Sequence, residues 1–199
     1  MILAIDSSAG TAVAVTTSDG VQVSVAETLD RRSHAEAIGP LIAQALDSAG
    51  IGPKDITAVV MGVGPGPFTG LRVGMAAAQS FAWARSVPLW PVHSHDAAAV
   101  SIVHDSAVIT DARRGEWAFS AYTPHPQGGL GVREGLSRLI PREDIDDSQT
   151  HWHDSLLIRA ENVNPAHLAL AAVTLQARGE NLEEPRPVYL REPDVTMPQ

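Results

Sequence analysis

Cysteine is absent from the 199 residues, which removes disulfides, thiolate zinc sites and cysteine nucleophiles together and fits a cytosolic chain without requiring one. No apolar run approaches the ~20 residues needed to span a bilayer. The opening Met1-Ile2-Leu3-Ala4-Ile5-Asp6 places an acid where a secretory leader stays apolar, so the expectation is a soluble, cytoplasmic protein with no membrane association. An excess of basic charge is also missing. The formal net charge of -9 argues against an autonomous grip on a nucleic-acid backbone, so any RNA contact needs a partner. Neither His-Glu-x-x-His nor Gly-x-Ser-x-Gly occurs, which leaves a zinc protease or an α/β-hydrolase without local support.

What is present is ordinary globular material, 44% hydrophobic, long enough for two small lobes. Ile2 to Ile5, Thr11 to Thr17 and Val21 to Ala26 read as strands, with Ser18-Asp19-Gly20 as a hairpin turn. Ser33 and Glu36 form a capping-box pattern for a helix to Ala49, in which Pro40 predicts a kink. Ile56 to Met61 predicts a buried strand. It leads through Gly62-Val63-Gly64-Pro65-Gly66-Pro67-Phe68-Thr69-Gly70-Leu71-Arg72-Val73-Gly74 into a helix over Thr69 to Arg85, with Thr69 as its cap. A strand at Val87 to Val92 and a helix carrying Ala97 to Val103 behind Ser94 follow.

The opening pattern then recurs. Ala107 to Asp111, a turn through Gly115 and the run Trp117 to Tyr122 repeat the strand, aspartate and returning strand of the first residues, which suggests two lobes of related fold. Thr123 to Gly135 reads as loop, Arg142 to Asp147 as a solvated acidic run, and Ser155 to Ile158 as a strand. Asn164-Pro165 starts a helix that Gly179 ends. The lobes are placed at 1–104 and 105–185, with 186–199 an extended tail free to pack on either.

The glycine loop suits a helix N-terminus that attracts anions, or simply a tight strand-to-helix turn. It lacks the Lys-Ser/Thr ending of a P-loop and the spacing of a dinucleotide fingerprint. Asp6, with the adjacent Ser7, and Asp111 are candidates for holding a magnesium-bound nucleotide; the bland alternative is that each aspartate caps its own turn. His93 with His95 and His151 with His153 are paired, yet no third ligand accompanies either pair, so no metal site is assigned. His34 reads as a surface or interface residue.

Gly64-Pro65-Gly66-Pro67-Phe68-Thr69-Gly70-Leu71-Arg72-Val73-Gly74 closely resembles the Gly-Pro-Gly-Ser-Phe-Thr-Gly-Leu-Arg-Ile-Gly signature of the TsaB (YeaZ) family, the non-catalytic subunit of bacterial tRNA threonylcarbamoyladenosine (t6A) synthase. The agreement extends to Ile2-Leu3-Ala4-Ile5-Asp6-Ser7-Ser8, Arg32-Ser33-His34, Asp111-Ala112-Arg113-Arg114-Gly115-Glu116 and Pro187-Val188-Tyr189-Leu190-Arg191. Pro67 departs from the signature serine. The resemblance implies an α/β, actin-like ATPase-domain (ASKHA, RNase H-like) fold with mixed sheets flanked by helices. It also implies a scaffold or activator role beside the catalytic relative TsaD and the ATPase TsaE, in transfer of threonylcarbamoyl from its adenylate to N6 of adenosine 37 in tRNAs reading ANN codons. ATP or ADP and metal are then expected on the partner subunits or at their interface, and tRNA only through the complex.

Where the catalytic relative carries a His-x-x-x-His metal motif, this chain reads His93-Ser94-His95-Asp96-Ala97, so the second ligand position is Ala97. Arg159-Ala160-Glu161-Asn162 stands where relatives commonly place glycines. Leu41, Ala45, Leu71, Met75 and Ala78 are expected to pack against TsaD, or against a second copy when TsaD is absent; Gly64, Gly66, Phe68, Thr69, Gly70 and Arg72 are the structural signature. The alternative is an independent nucleotide-dependent enzyme of the same fold that uses Asp6, Asp111 and a metal.

Overall fold

The computed structural model describes residues 1–28, 30, 33–145 and 148–191. Arg32, the Asp146 and Asp147 end of the acidic run, and tail residues 192–199 lie outside the described residues. The first sheet contains β1 (Ile2–Asp6), β2 (Thr11–Thr16), β3 (Gln22–Thr28), β4 (Ala58–Gly62) and β5 (Leu89–Val92), in the order β3-β2-β1-β4-β5. The short turns make β1, β2 and β3 antiparallel; the two crossover helices, α1 (His34–Ser48) and α2 (Phe68–Arg85), set β4 parallel to β1 and β5 parallel to β4.

The second sheet repeats this plan. β6 (Ser106–Asp111), β7 (Glu116–Thr123) and β8 (Val132–Pro141) form the meander, and β10 (Ser155–Arg159) lies parallel to β6, with the short β9 (His151–Trp152) at the edge. Each lobe therefore begins with a central strand that ends in aspartate, as the sequence repeat predicts.

Both faces of β1 are buried, which is why its residues read as one apolar run. Leu3 and Ile5 pack with Val59 and Met61 beneath α1 and α2. Ile2 and Ala4 face the other way, into a cluster shared with Val108 and Tyr122 of the second sheet. The filling of that shared cluster is α3 (Pro165–Ala177), whose Leu168, Ala169 and Ala172 are fully buried. By sequence α3 falls in the second half, yet it packs along β1, β2, β4 and β5 of the first sheet. Its apolar residues surround the helix, as befits one enclosed between layers. Among the described residues no helix is long and apolar enough to cross a membrane.

Two helix starts differ from expectation. Ser33 occupies the N-cap position of α1 but makes no capping bond; its hydroxyl donates to Asp30 at 2.9 Å instead, and no capping box with Glu36 forms. Pro67, not Thr69, is the N-cap of α2, and Thr69 lies exposed within the first turn. The Asn164 carboxamide does cap α3, accepting from the Ala166 amide at 2.9 Å, and Gly179 ends that helix with φ 69°. The helix expected over Ala97 to Val103 is a 3-10 segment, Ser94–Ala99.

The predicted loop holds over residues 124–131, but Thr123 ends β7 and residues 132–135 already belong to β8, which runs on to Pro141. β8 escaped the pattern because it is an edge strand, exposed along most of its length, with polar residues interrupting the apolar alternation.

Candidate functional site

Four glycines spaced every fourth residue, Gly62, Gly66, Gly70 and Gly74, explain the signature loop by contact. A Cβ on Gly62 would strike the Asp6 carboxylate, and one on Gly74 would strike the Ser7 hydroxyl. A Cβ on Gly66 would come within 2.7 Å of the Ser8 backbone, and one on Gly70 within 2.6 Å of the His34 ring. The loop and the first turn of α2 thus lie flush on Asp6-Ser7-Ser8 and on α1. Gly64, at φ 96°, turns the chain where a side-chain residue would be strained.

Asp6 holds this arrangement from below. Its Oδ1 accepts from the Ser8 amide at 2.8 Å and the Ser8 hydroxyl at 2.6 Å, while Oδ2 accepts from the Ser94 hydroxyl at 2.5 Å. Ser94 Oγ in turn accepts from the Gly64 amide at 2.9 Å, so the aspartate is tied to the signature loop through one hydroxyl. Burial raises the Asp6 pKa, against the lowering effect of these bonds. Ser7 donates to the Gly70 carbonyl at 2.8 Å and accepts from the Gly74 amide at 3.0 Å. Asp111 accepts from the Arg113 amide at 2.9 Å, capping its own turn, and pairs with Arg142 at 3.3 Å. All three nucleotide-binding candidates therefore carry structural bonds within the chain.

The lobes meet at a buried polar seam that the sequence reading did not find. His93 Nε2 lies 2.8 Å from Ser137 Oγ, which is 2.7 Å from Ser120 Oγ; Ser120 is 2.8 Å from His95 Nδ1, and His95 Nε2 is 2.9 Å from Thr110 Oγ1. Beside this relay Asp96 accepts from the Tyr122 hydroxyl at 2.7 Å and from Arg133 at 3.3 Å, and Arg133 also pairs with Glu183. His93, His95 and Asp96 come from the first lobe; Thr110, Ser120, Tyr122, Arg133 and Ser137 come from the second. Among the described residues no three metal-ligating side chains converge, at this pair or at His151 and His153.

Burial pushes the His95 pKa down to about 3, helped by Arg133, and holds His93 well below its ordinary range. Burial raises Asp96 to about 6 despite Arg133 and Tyr122. A depressed histidine contributes stability above its unfolded pKa that is lost as pH falls toward its folded value, because the unfolded chain takes the proton first. Asp96, raised, contributes in the opposite sense. A His95→Gln comparison isolates the histidine: the stability difference between parent and variant should shrink by about 2 kcal/mol between pH 7.5 and 5 in urea titrations. A difference that stays constant over that range would mean that His95 does not carry the seam's acid sensitivity.

The five residues expected at a partner surface are instead inside the first lobe. Ala45, Leu71 and Ala78 are fully buried, and Leu41 and Met75 are 7% and 5% exposed. Helical spacing identified the apolar face correctly but not which layer covers it: β1, β2, β3 and β4 do. The outward faces of the same helices are different residues. On α2 these are Thr69, Arg72, Ala76, Ser80 and Trp83, the last 87% exposed; on α1 they include Ala35, Gly39 and Ala43.

Phe68 and Arg72 of the signature bind the tail. Phe68 stacks on Tyr189 at 4.1 Å between ring centres, and Arg72 Nε donates to the Tyr189 hydroxyl. Between this contact and the β6–β7 turn a residual cavity of about 60 Å³ is bordered by Pro67, Asp111 and Leu190. A wider opening of about 320 Å³ lies on the other side of Phe68, lined by Ser8, His34, Glu36, Thr69 and Arg113.

The family model described as "TsaD: tRNA N6-adenosine threonylcarbamoyltransferase" matches residues 21–125. An uncharacterized protein of Mycobacterium tuberculosis is 34% identical over 202 residues, covering 98% of this chain and 93% of its own. The tRNA threonylcarbamoyladenosine biosynthesis protein TsaB of Bacillus subtilis is 31% identical over 150 residues, 72% of this chain and 61% of that protein. In fold, the chain is similar to YeaZ from Pseudomonas aeruginosa, with a TM-score of 0.74 at 23% identity over 95% of this chain and 99% of the other. Two sheets of one plan, each opening on a strand that ends in aspartate, define a two-lobed actin-like protein. The chain belongs to the family that the TsaD model describes, and within it is similar to TsaB of Bacillus subtilis and, in fold, to YeaZ.

Proposed function

We propose that this chain is a scaffold or activator subunit of the t6A-forming complex and carries no catalytic group of its own. In this reading it binds a TsaD-type subunit through the outward faces of α1 and α2. That complex transfers threonylcarbamoyl from threonylcarbamoyl-AMP to N6 of adenosine 37 in tRNAs reading ANN codons, in the cytoplasm. A TsaE-type ATPase joins it, tRNA is reached only through the complex, and nucleotide and metal belong to the partners or their interface. A second copy of this chain occupies the same face when the partner is absent.

The observation that carries this reading is the division of labour on α2. Its inward residues are fully enclosed, whereas its outward face keeps small residues around an exposed Trp83. Small side chains let a second helix approach closely, and a large exposed aromatic is the usual anchor of a protein interface. Family membership supplies the kind of partner, and the -9 charge favours a protein partner over direct tRNA binding.

The internal bonds of Asp6, Ser7 and Asp111 weigh against the independent nucleotide-dependent enzyme. Titration of ATP and magnesium into the isolated chain, followed by calorimetry, distinguishes the two. We expect no saturable heat and no turnover; saturable binding with hydrolysis would support the enzyme.

A further inference from the structure

We infer that residues 187–191 form a strap that latches the two lobes together between the signature loop and the β6–β7 turn. The segment is bonded to both lobes within five residues. On the first lobe, the Val188 amide donates to the Val63 carbonyl at 2.7 Å, and Tyr189 is held between Phe68 and Arg72. On the second, Arg191 donates to the Ala112 and Arg113 carbonyls, each at 3.1 Å, and pairs with Glu116. The Arg191 fork thus grips the β6–β7 turn by its backbone, a geometry that a lysine cannot reproduce.

The position of the strap gives it mechanical effect. The hydrophobic layer shared by the lobes lies against the face of the first sheet that carries Ile2 and Ala4. Val188 and Tyr189 pack with the cluster on the opposite face, with Leu3 and Ile5. The shared layer and the polar seam already join the lobes; an attachment on the other face adds a second restraint against rocking about them. Gly64 is shaped for this contact too, because a Cβ there would lie 3.3 Å from the Val188 carbonyl oxygen and 2.8 Å from Leu71. The strap borders the residual cavity of about 60 Å³ between the signature loop and the β6–β7 turn.

The absence of cysteine makes the test direct. Ser48→Cys and Leu136→Cys, both at exposed positions and one in each lobe, accept a pair of spin labels without background. Pulsed dipolar spectroscopy on the full chain should give one narrow distance distribution. Arg191→Ala releases the second-lobe end and Tyr189→Ala weakens the first-lobe end, and each should broaden the distribution to a similar extent.

The double variant should be no broader than either single variant, because a strap freed at one end no longer bridges. Far-UV circular dichroism and a thermal melt of each variant establish that the lobes remain folded. Distributions that match the parent in folded variants would overturn the latch, as would effects that simply add.

Discussion

Gly62→Ala is expected to destabilise the chain by about 3–4 kcal/mol, because the new methyl group occupies the space of a buried, hydrogen-bonded carboxylate. Asp6 is 2% exposed, and its two oxygens accept from Ser8 and Ser94. Moving it breaks the link through Ser94 to Gly64, so the cost is shared between an uncompensated carboxyl and a loosened signature loop. The backbone at Gly62 has no room to yield, since it continues β4, paired with β5 at Val92. In a chain of this size the change should lower the melting temperature by about 10 °C. Urea unfolding measures the free energy. A loss below about 1 kcal/mol would show that Asp6 can relocate at little cost and does not organise the loop.

Ala76→Glu should behave in the opposite way: stability within about 0.5 kcal/mol of the parent, and capture of a TsaD-type subunit weakened by more than about 30-fold. Ala76 lies on the exposed face of α2, so a carboxylate there remains hydrated in the free chain. At a closely packed helix interface the same group is desolvated without a counter-ion. Trp83→Ala should weaken capture as well, by removing the exposed anchor. Ala78→Glu is not an equivalent test, because Ala78 is fully buried and a charge there breaks the core whatever the partner does. Copurification with a tagged partner, read beside a thermal melt of each free variant, separates loss of docking from loss of fold.

The sequence pattern was legible wherever local chemistry decided the structure. Apolar, β-branched runs and turn residues placed β1, β2 and β3, and Asn164-Pro165 placed the start of α3. The repeat of strand and aspartate disclosed the two-lobed plan. Decisions made by distant residues were hidden. Ser33 has the right type for a cap, yet Asp30 takes its hydroxyl. Leu41 and Met75 lie on an apolar helical face, but nothing local says whether a sheet or another protein covers that face.

The signature glycines were visible as a motif, while their reason was not, because the atoms they make room for belong to Asp6, Ser7, Ser8 and His34. The tail shows the same separation: Tyr189 lies 117 residues from the arginine that holds it. The polar seam offered a weak signal in His93-Ser94-His95-Asp96, but its partners come from three strands of the other lobe.

The central claim is that this chain acts through its outward helix face and not through the aspartates that end β1 and β6. Reconstituted tRNA threonylcarbamoylation with a TsaD-type and a TsaE-type subunit tests it most directly, comparing the parent chain, Ala76→Glu and Asp111→Asn. Asp111 is partly exposed, caps its own turn and pairs with the surface Arg142, so its variant should support modification at close to the parent rate, whereas Ala76→Glu should reduce the reaction to the level seen with no chain added. Full activity with Ala76→Glu, or loss of activity with a folded Asp111→Asn that still captures its partner, would contradict the account.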